Sequence, residues 1–423
     1  MKKINTSPIS GMQELLPEKQ ATFNSLKNII GEVYHCHGFL NIETPIIERE
    51  EILLAKAGGD TEKQIYKVVK TAEAKDGADQ ALRFDHTVPL ARYVVEHEND
   101  LAFPFKVSQI GRNFRGERAQ KGRYREFYQC DADVIGRNSL PIYYDADVIE
   151  TSLDALLNFG LDTPVVARIS NRKILSGLIS ELGVEDKSKD IYSIIDHSEK
   201  VPAEETEAAF TEIGLSNEKK ALILAFMDIY GAREYVVDKL RNLGVGDQVF
   251  NDGVKELDIV LGLLEADGYK ENVKADMKIV RGLDYYTGTV FEYALPEYQQ
   301  VGSIGGGGRY DNLTGHFTEQ VFPGVGSSIG LTRLFYVLNE NNLLKSQVER
   351  PLEVAVVPIS ENEIEYAFKV AKEQREKGKA TTVVLSGKKL GDKLNYAAKL
   401  AKVAIIIGED EVKTGELKEK ILN

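Results

Sequence analysis

Five strand-length runs constrain the fold of this chain more than any other feature. KVSQIGRNFR (106–115), REFYQCDADVI (125–135), PVVARIS (164–170), MKIV (277–280) and TGTVFEYAL (287–295) are rich in β-branched and aromatic residues, and several are joined by short turns. Short connections allow hairpins but leave no room for the crossover that a parallel pair requires, so the pattern predicts a large, mainly antiparallel sheet. Upstream, GFLNIETPIIE (38–48) reads as a strand broken at Pro45, a residue tolerated at strand ends and edges. The segment after Pro17 places Phe23, Leu26, Ile30 and Val33 on one helical face, which predicts a packed helix.

From about Asn171 to Gly268 the periodicity changes. Leu, Ile, Ala, Glu and Lys recur at helical spacing, with Gly or Ser near the breaks, so this stretch reads as a helical insertion between two sheet segments. After the polar linker NENNLLKSQVERP the order is strand (LEVAVVPI), helix (361–378), strand (TTVVLS), helix (391–402) and strand (VAIIIG). That is a βαβαβ unit with a parallel sheet. The expected architecture is therefore α+β: an antiparallel-sheet domain over 1–343, with its insertion at about 171–268, and an α/β domain over 350–423.

Composition excludes several classes. With 43% hydrophobic and 28% charged residues the chain is of ordinary globular type. No run approaches the roughly 18 apolar residues of a membrane span, and MKKINTSPIS has no apolar stretch behind its lysines, so no membrane is expected and the cytoplasm is the default location. Cys36 and Cys130, far apart and in unlike contexts, suit a reducing compartment. A net charge of −13 argues against indiscriminate nucleic-acid coating. Within that acidic chain, residues 112–125 carry five Arg and one Lys against one Glu, which points to an anionic ligand. Residues 351–423 hold 13 basic and 12 acidic side chains, so the tail repels a polyanion less than the rest of the chain.

Four basic segments stand beside the strand runs: FRGER (114–118), GRYREF (122–127), RGLDYY (281–286) and LTRL (331–334). The planar fork of arginine donates two parallel hydrogen bonds to phosphate or carboxylate and stays charged when partly buried. Several converging would mean phosphoryl or nucleotidyl chemistry, although any one of them alone reads more readily as a surface or ion-paired residue. GSIGGGGRYDNL (302–313) lacks the GK[ST] ending of a phosphate-cradling loop; its glycines suit close backbone approach within a crowded sheet, with Arg309, Tyr310 and Asp311 beyond. His35-Cys36-His37 has no second ligand pair at zinc spacing, so no metal site is expected from it.

Together these segments resemble one family. FRGERAQKGRYREFYQCDADVIG is similar to motif 2 of the class II aminoacyl-tRNA synthetases in its histidyl form, and PGVGSSIGLTRLFYVL to their motif 3. RGLDYYTGTVFE followed by GGGGRYDNL resembles the pair of signatures that distinguishes the histidyl-tRNA synthetases. The resemblance covers nearly the whole chain. It implies a class II sheet core and a C-terminal anticodon-binding domain. It implies activation of histidine with ATP and Mg²⁺, transfer to histidine tRNA, and a homodimer paired through GFLNIETPIIE.

The site residues carry over one by one. Arg115 and Arg281 would face the amino-acid carboxylate and α-phosphate, and both would be catalytic. Glu117 would lie near adenine with Phe127 stacked on it, and Arg123 and Arg333 would reach the γ-phosphate. Asp85, Thr87 and Gln129 would hold the α-amino group, while Asp133, Tyr286 and Tyr310, with Tyr285 beside them, would line the imidazole pocket. An imidazole has two ring nitrogens, so a carboxylate on one side and a phenol on the other would reject isosteres lacking either group.

Three departures accompany the match. Ser10-Gly11-Met12-Gln13 stands where the family usually has a basic residue and Gly near an Asp, Thr332 replaces a usual Glu, and Asp85 and Asp133 replace the Glu of many bacterial members. The rival reading is a paralogue of the same fold, the ATP phosphoribosyltransferase regulatory subunit, which binds histidine without ligating it. That paralogue characteristically lacks the C-terminal domain and part of the arginine set, all of which this chain retains.

Overall fold

The computed structural model describes residues 4–55, 62–70, 79–280, 286–344, 350–387 and 389–422. The chain forms two compact units, one of residues 1–13 and 26–345, the other of residues 14–25 and 346–423. Helix α1 (Pro17–Cys36) contributes to both. Its buried line is Phe23, Leu26, Ile30 and Tyr34. Tyr34 therefore takes the place expected of Val33, because its ring is enclosed while its hydroxyl donates to the Cys130 carbonyl at 3.0 Å.

The larger unit is built on a nine-stranded sheet. In chain order its strands are β1 (Leu40–Asn41), β2 (Phe105–Phe114), β3 (Glu126–Ile135), β4 (Val166–Asn171), β5 (Tyr230–Gly231), β6 (Val273–Asp276), β7 (Tyr286–Ala294), β8 (Gly305–Tyr310) and β9 (Gly324–Ile329). The spatial order is β1-β2-β3-β9-β8-β7-β4-β6-β5. The pairs from β2 through β4 are all antiparallel, whereas β1 on β2 and β6 on β4 are parallel. The hairpin of β2 and β3 runs without a break from Phe105 opposite Ile135 to Phe114 opposite Glu126, with the basic stretch 115–125 as its turn. Uninterrupted pairing of this length fixes which side chains of β3 share a face.

Several sequence expectations need correction. MKIV is not a strand: β6 ends at Asp276, whose side chain accepts from the Lys278 N–H and turns the chain. The run GFLNIETPIIE is divided at Pro45 between β1 and a strand Ile47–Arg49 that belongs to a separate three-stranded sheet. GGGGRY is a full strand, β8, in the middle of the sheet. LTRL, one of the basic segments beside the strand runs, opens a helix, Leu331–Glu340. The helical insertion is present as six α-helices between Arg172 and Ala266, and it also lends β5 to the sheet edge.

The smaller unit carries strands β10 (Leu352–Pro358), β11 (Thr381–Val383) and β12 (Ala401–Ile407), which pair in parallel. Val354 and Val356 of β10 pack with Ala367 and Val370 of the helix Ile364–Glu376, and Ala355 and Val357 pack with Ala397 of the helix Leu390–Ala398. Alternate residues of one strand thus feed two cores, as a sheet covered on both faces requires. A fourth strand, β13 (Lys418–Ile421), adds antiparallel to β12. Its sequence KEKI is exposed throughout and carried no apolar run to announce it.

Candidate active site

Glycine makes room for the site. β8 and β9 lie side by side, and a Cβ on Gly307 would stand 1.9 Å from the Gly326 carbonyl oxygen. A Cβ on Gly326 would stand 2.0 Å from Asp133 Oδ1. Only bare backbone lets the side chains of β3 and β8 lie across these strands. Above them is a cleft of about 290 Å³ whose walls include Gln129, Tyr286, Glu292, Ser328 and Arg333 with glycines 305–307. Adjoining it is a cavity of about 30 Å³ bounded by Thr87, Asp131, Asp133, Tyr286, Tyr310 and Ser328, among others. Tyr286, Gly306 and Ser328 line both.

At the floor of the small cavity the Tyr310 hydroxyl donates to Asp133 Oδ1 at 3.0 Å, and both side chains are buried. Burial, reinforced by the nearby Asp131, holds the Asp133 carboxyl well above the usual carboxylate range; burial and Asp133 raise the Tyr310 phenol in turn. The wall opposite is the start of a helix, Thr87–Glu96, fixed by the Val88 N–H donating to Asp85 Oδ1 at 3.1 Å. Burial pushes the Asp85 carboxyl up to about 6, against the opposing effects of that hydrogen bond and of Arg115. At the cleft, Gln129 accepts from Asn113 Nδ2 and donates to Ser328 Oγ, both at 2.8 Å.

The basic turn lies outside both linings and joins them through Phe84 and the helix that carries Arg333. Arg115 Nε donates to the Phe84 carbonyl at 3.1 Å, and its guanidinium lies 5.1 Å from the centre of the Phe127 ring. Glu117 and Arg123 form an ion pair at 3.8 Å. Gly122, at φ +73°, brings the turn against the helix Leu331–Glu340, since a Cβ there would lie 3.2 Å from Tyr336 and 3.7 Å from Arg333. Arg333 itself donates to the Val301 carbonyl. The N-terminal segment docks on the same turn through the Arg125 N–H to Gly11 O at 2.8 Å and Arg125 Nη1 to Ser10 O at 3.2 Å.

Of the residues expected at the site, Thr87, Gln129, Asp133, Tyr286, Tyr310 and Arg333 line the two spaces. Asp85, Arg115, Glu117, Arg123 and Phe127 are not part of those walls. They connect to them through the helix cap, the Phe84 carbonyl and the turn. Arg281 and Tyr285 lie outside the described residues. Arg309, beyond the glycine run, is structural: it turns away from Tyr310 into a buried ion pair with Asp145 at 2.6 Å and also donates to the Leu140 and Pro141 carbonyls.

Sequence reading missed Asp131, Glu292 and Ser328. Asp131 was legible as the middle residue of Gln129-x-Asp131-x-Asp133, a period-two set on one strand face. Glu292 was legible as a carboxylate inside the apolar run TGTVFEYAL, whereas nothing marked Ser328. Thr332 also acquires a role, because its buried hydroxyl accepts the Tyr128 N–H at 2.7 Å and so pins the helix Leu331–Glu340 to β3. Among the described residues His37, Glu150 and Asp154 form one cluster of possible metal ligands, in which His37 pairs with Asp154 at 2.9 Å.

Comparison with known proteins gives a consistent result. Residues 11–334 match the family described as histidyl-tRNA synthetase, and residues 353–422 match an anticodon binding domain. A histidine–tRNA ligase of Clostridium tetani is 44% identical over 99% of this chain and 95% of its own length. One from Finegoldia magna is 42% identical over 97% of this chain and 93% of its own. The crystal structure of histidyl-tRNA synthetase from Nostoc sp. PCC 7120 superimposes with a TM-score of 0.88 at 36% identity, covering 99% of this chain and 97% of that one. A Bacillus halodurans structure titled as an ATP phosphoribosyltransferase regulatory subunit/histidyl-tRNA synthetase shares the fold at a TM-score of 0.78 and 23% identity, over 96% of this chain and all of that one.

Proposed function

Because the chain belongs to the histidyl-tRNA synthetase family, we propose that the small cavity holds the imidazole of histidine and the adjoining cleft holds ATP. The activity is that of a class II aminoacyl-tRNA synthetase, which activates histidine with ATP and transfers it to histidine tRNA. The observation that carries the site assignment is the buried Asp133–Tyr310 pair, open to a cleft whose opposite wall bears Arg333. Asp133 matches a ring N–H, and the phenol of Tyr286 matches the bare nitrogen, since Tyr310 gives its one proton to Asp133 and steadies that carboxyl. Asp85, Thr87 and Gln129 receive the α-ammonium group.

In the first step a carboxylate oxygen of histidine bonds to the α-phosphorus as the bond to the pyrophosphate oxygen breaks. The enzyme supplies alignment and fixed positive charge, with no covalent intermediate. Arg115 and Arg281 take the carboxylate and α-phosphate, while Arg123 and Arg333 take the γ-phosphate. Phe127 stacks on adenine and Glu117 lies at its edge. The 5.1 Å stacking of Arg115 on Phe127 supports placing the base and the α-phosphate at adjacent points beside the basic turn. Mg²⁺ usually binds through one or two carboxylates and substrate phosphates, and Glu292 is the carboxylate among the described residues lining the cleft, so it would hold the ion, which offsets phosphate charge when bound. In the second step the terminal ribose hydroxyl of tRNA attacks the adenylate carbonyl, and AMP leaves.

Residues 1–343 form the catalytic domain in this reading and 350–423 the anticodon-binding domain. The chain acts as a homodimer, for which the exposed Leu40, Ile46 and Ile47 of GFLNIETPIIE give apolar surface. The cytoplasm is its place of work; among the described residues no helix is long and apolar enough to cross a membrane, and both cysteines are free. Charging of unfractionated tRNA with each of the twenty amino acids tests the function. Histidine alone should be attached, and attachment of a different amino acid in its place would refute it.

A further inference from the structure

Between Gln129 and Asp133 stands an acidic side chain that none of the roles above uses. Asp131 shares their face of β3 and lines the small cavity with Thr87, Asp133 and Tyr310. It is 4% exposed. One oxygen, Oδ2, is held by His86 Nδ1 at 3.0 Å, which requires the ring proton on Nδ1. The other, Oδ1, is buried and has no hydrogen-bond partner among the described residues. His86 is buried as well, so the pair is fixed from behind. A buried carboxylate with one oxygen clamped and the other idle, on the wall of a binding cavity, is arranged to receive a donor that arrives with a ligand.

We infer that Asp131 is a specificity-determining contact for the α-ammonium group of the bound amino acid, and that His86 is its positioning residue. The inference rests on the proposed histidine site and follows from matching charge as well as donors. A neutral imidazole offers one N–H and one bare nitrogen, and Asp133 with Tyr286 already answers both. The ammonium carries three donors, which Asp85, Thr87 and Gln129 can take, and a full positive charge, which among those three only the Asp85 carboxylate offsets. Thr87 lies on the same cavity wall, and Asp85 already has Oδ1 engaged by the Val88 N–H. Asp131 thus adds a negative contact on the ammonium side. An amino-acid analogue without its ammonium group gains nothing from it.

The test compares Asp131→Asn with the unmodified enzyme in histidine-dependent ATP–pyrophosphate exchange, using imidazolepropionate, which lacks the amino group, as a competitive probe. The histidine KM should rise about 10- to 100-fold, the range expected for one charge-assisted hydrogen bond. The KM for ATP and the inhibition constant for imidazolepropionate should change less than about twofold, well under the tenfold step that such a bond represents. His86→Phe should raise the histidine KM by less, and the double variant should add little to Asp131→Asn. An unchanged histidine KM in a folded Asp131→Asn variant overturns the inference, as does an equal loss for imidazolepropionate, which would place Asp131 at the ring. Either result leaves the site assignment intact, whereas absence of exchange in the unmodified enzyme would defeat that assignment instead. Should Asp131→Asn fail to fold, a crystal structure of the unmodified enzyme with histidinol decides: an ammonium nitrogen about 3 Å from Asp131 Oδ1 supports the contact, and one hydrogen-bonded elsewhere overturns it.

Discussion

With its carboxyl pushed up to about 6 by burial, Asp85 changes charge close to the pH at which, in the proposed site, it would receive an ammonium group. In the unfolded chain the same carboxyl would titrate near 3.9, so between about 4 and 6 the folded state binds more protons and Asp85 costs stability as pH rises through that window. Its ionised form is kept for the ligand. The kcat/KM for histidine should therefore fall as pH drops through about 6, and Asp85→Asn should lose that part of the profile. Substrate imidazole titrates identically in both enzymes, so the difference between the two profiles isolates Asp85; superimposable profiles would remove it from the binding step. At this scale much of the site was legible. Charge and residue type on strand-length runs marked the basic turn as a place for an anion. What the pattern could not assign was direction. Arg309 resembled its neighbours in sequence and turned into a buried pair with Asp145, while Asp131 turned into the cavity beside Asp133.

Elements meet here through a few specific contacts rather than through area alone. Thr332 replaces the acidic residue usual in its motif, and its hydroxyl, buried between the helix Leu331–Glu340 and β3, accepts the Tyr128 N–H. Thr332→Val keeps the shape and removes the acceptor, leaving a backbone donor unmatched at a cost of about 1–3 kcal/mol. Thermal unfolding should show this loss for Thr332→Val and largely spare Thr332→Ser, with the KM for ATP rising because the same helix carries Arg333. Equal stability of the Val and Ser variants would show that water replaces the contact. The sheet was readable in sequence because its hairpins have short turns and strong β formers. The order of distant strands was not, since β9 reaches its place between β3 and β8 by pairing across nearly 200 residues. β8 was not marked as a strand by propensity, which four glycines lack; what explains them is the close approach of both neighbouring strands, since an added Cβ would stand 2.6, 2.5, 1.9 and 2.7 Å from the carbonyl oxygens of Ser328, Phe291, Gly326 and Thr289 in turn.

At the scale of the whole molecule the two units divide the labour. Among the described residues the cleft and the small cavity are lined by the unit holding residues 26–345, and residues 353–422 match an anticodon binding domain. Removal of residues 350–423 should leave activation of histidine in place and depress charging of tRNA, with a shallower salt dependence because fewer phosphates are contacted. The truncated chain is to be checked first for a folded, dimeric state, since residues 14–25 group with the removed part. A truncation that charges histidine tRNA as fast as the full chain would assign the tail another role. Histidine-dependent exchange of labelled pyrophosphate into ATP, run without tRNA, reports on the cleft and the adjoining cavity alone. The full chain should catalyse exchange with histidine and with no other amino acid, and Arg281→Ala should lower the rate by about 10²–10³ in a folded protein, the usual loss for a group that stabilises developing charge. Absence of exchange with histidine, or exchange sustained by a different amino acid, would contradict the account.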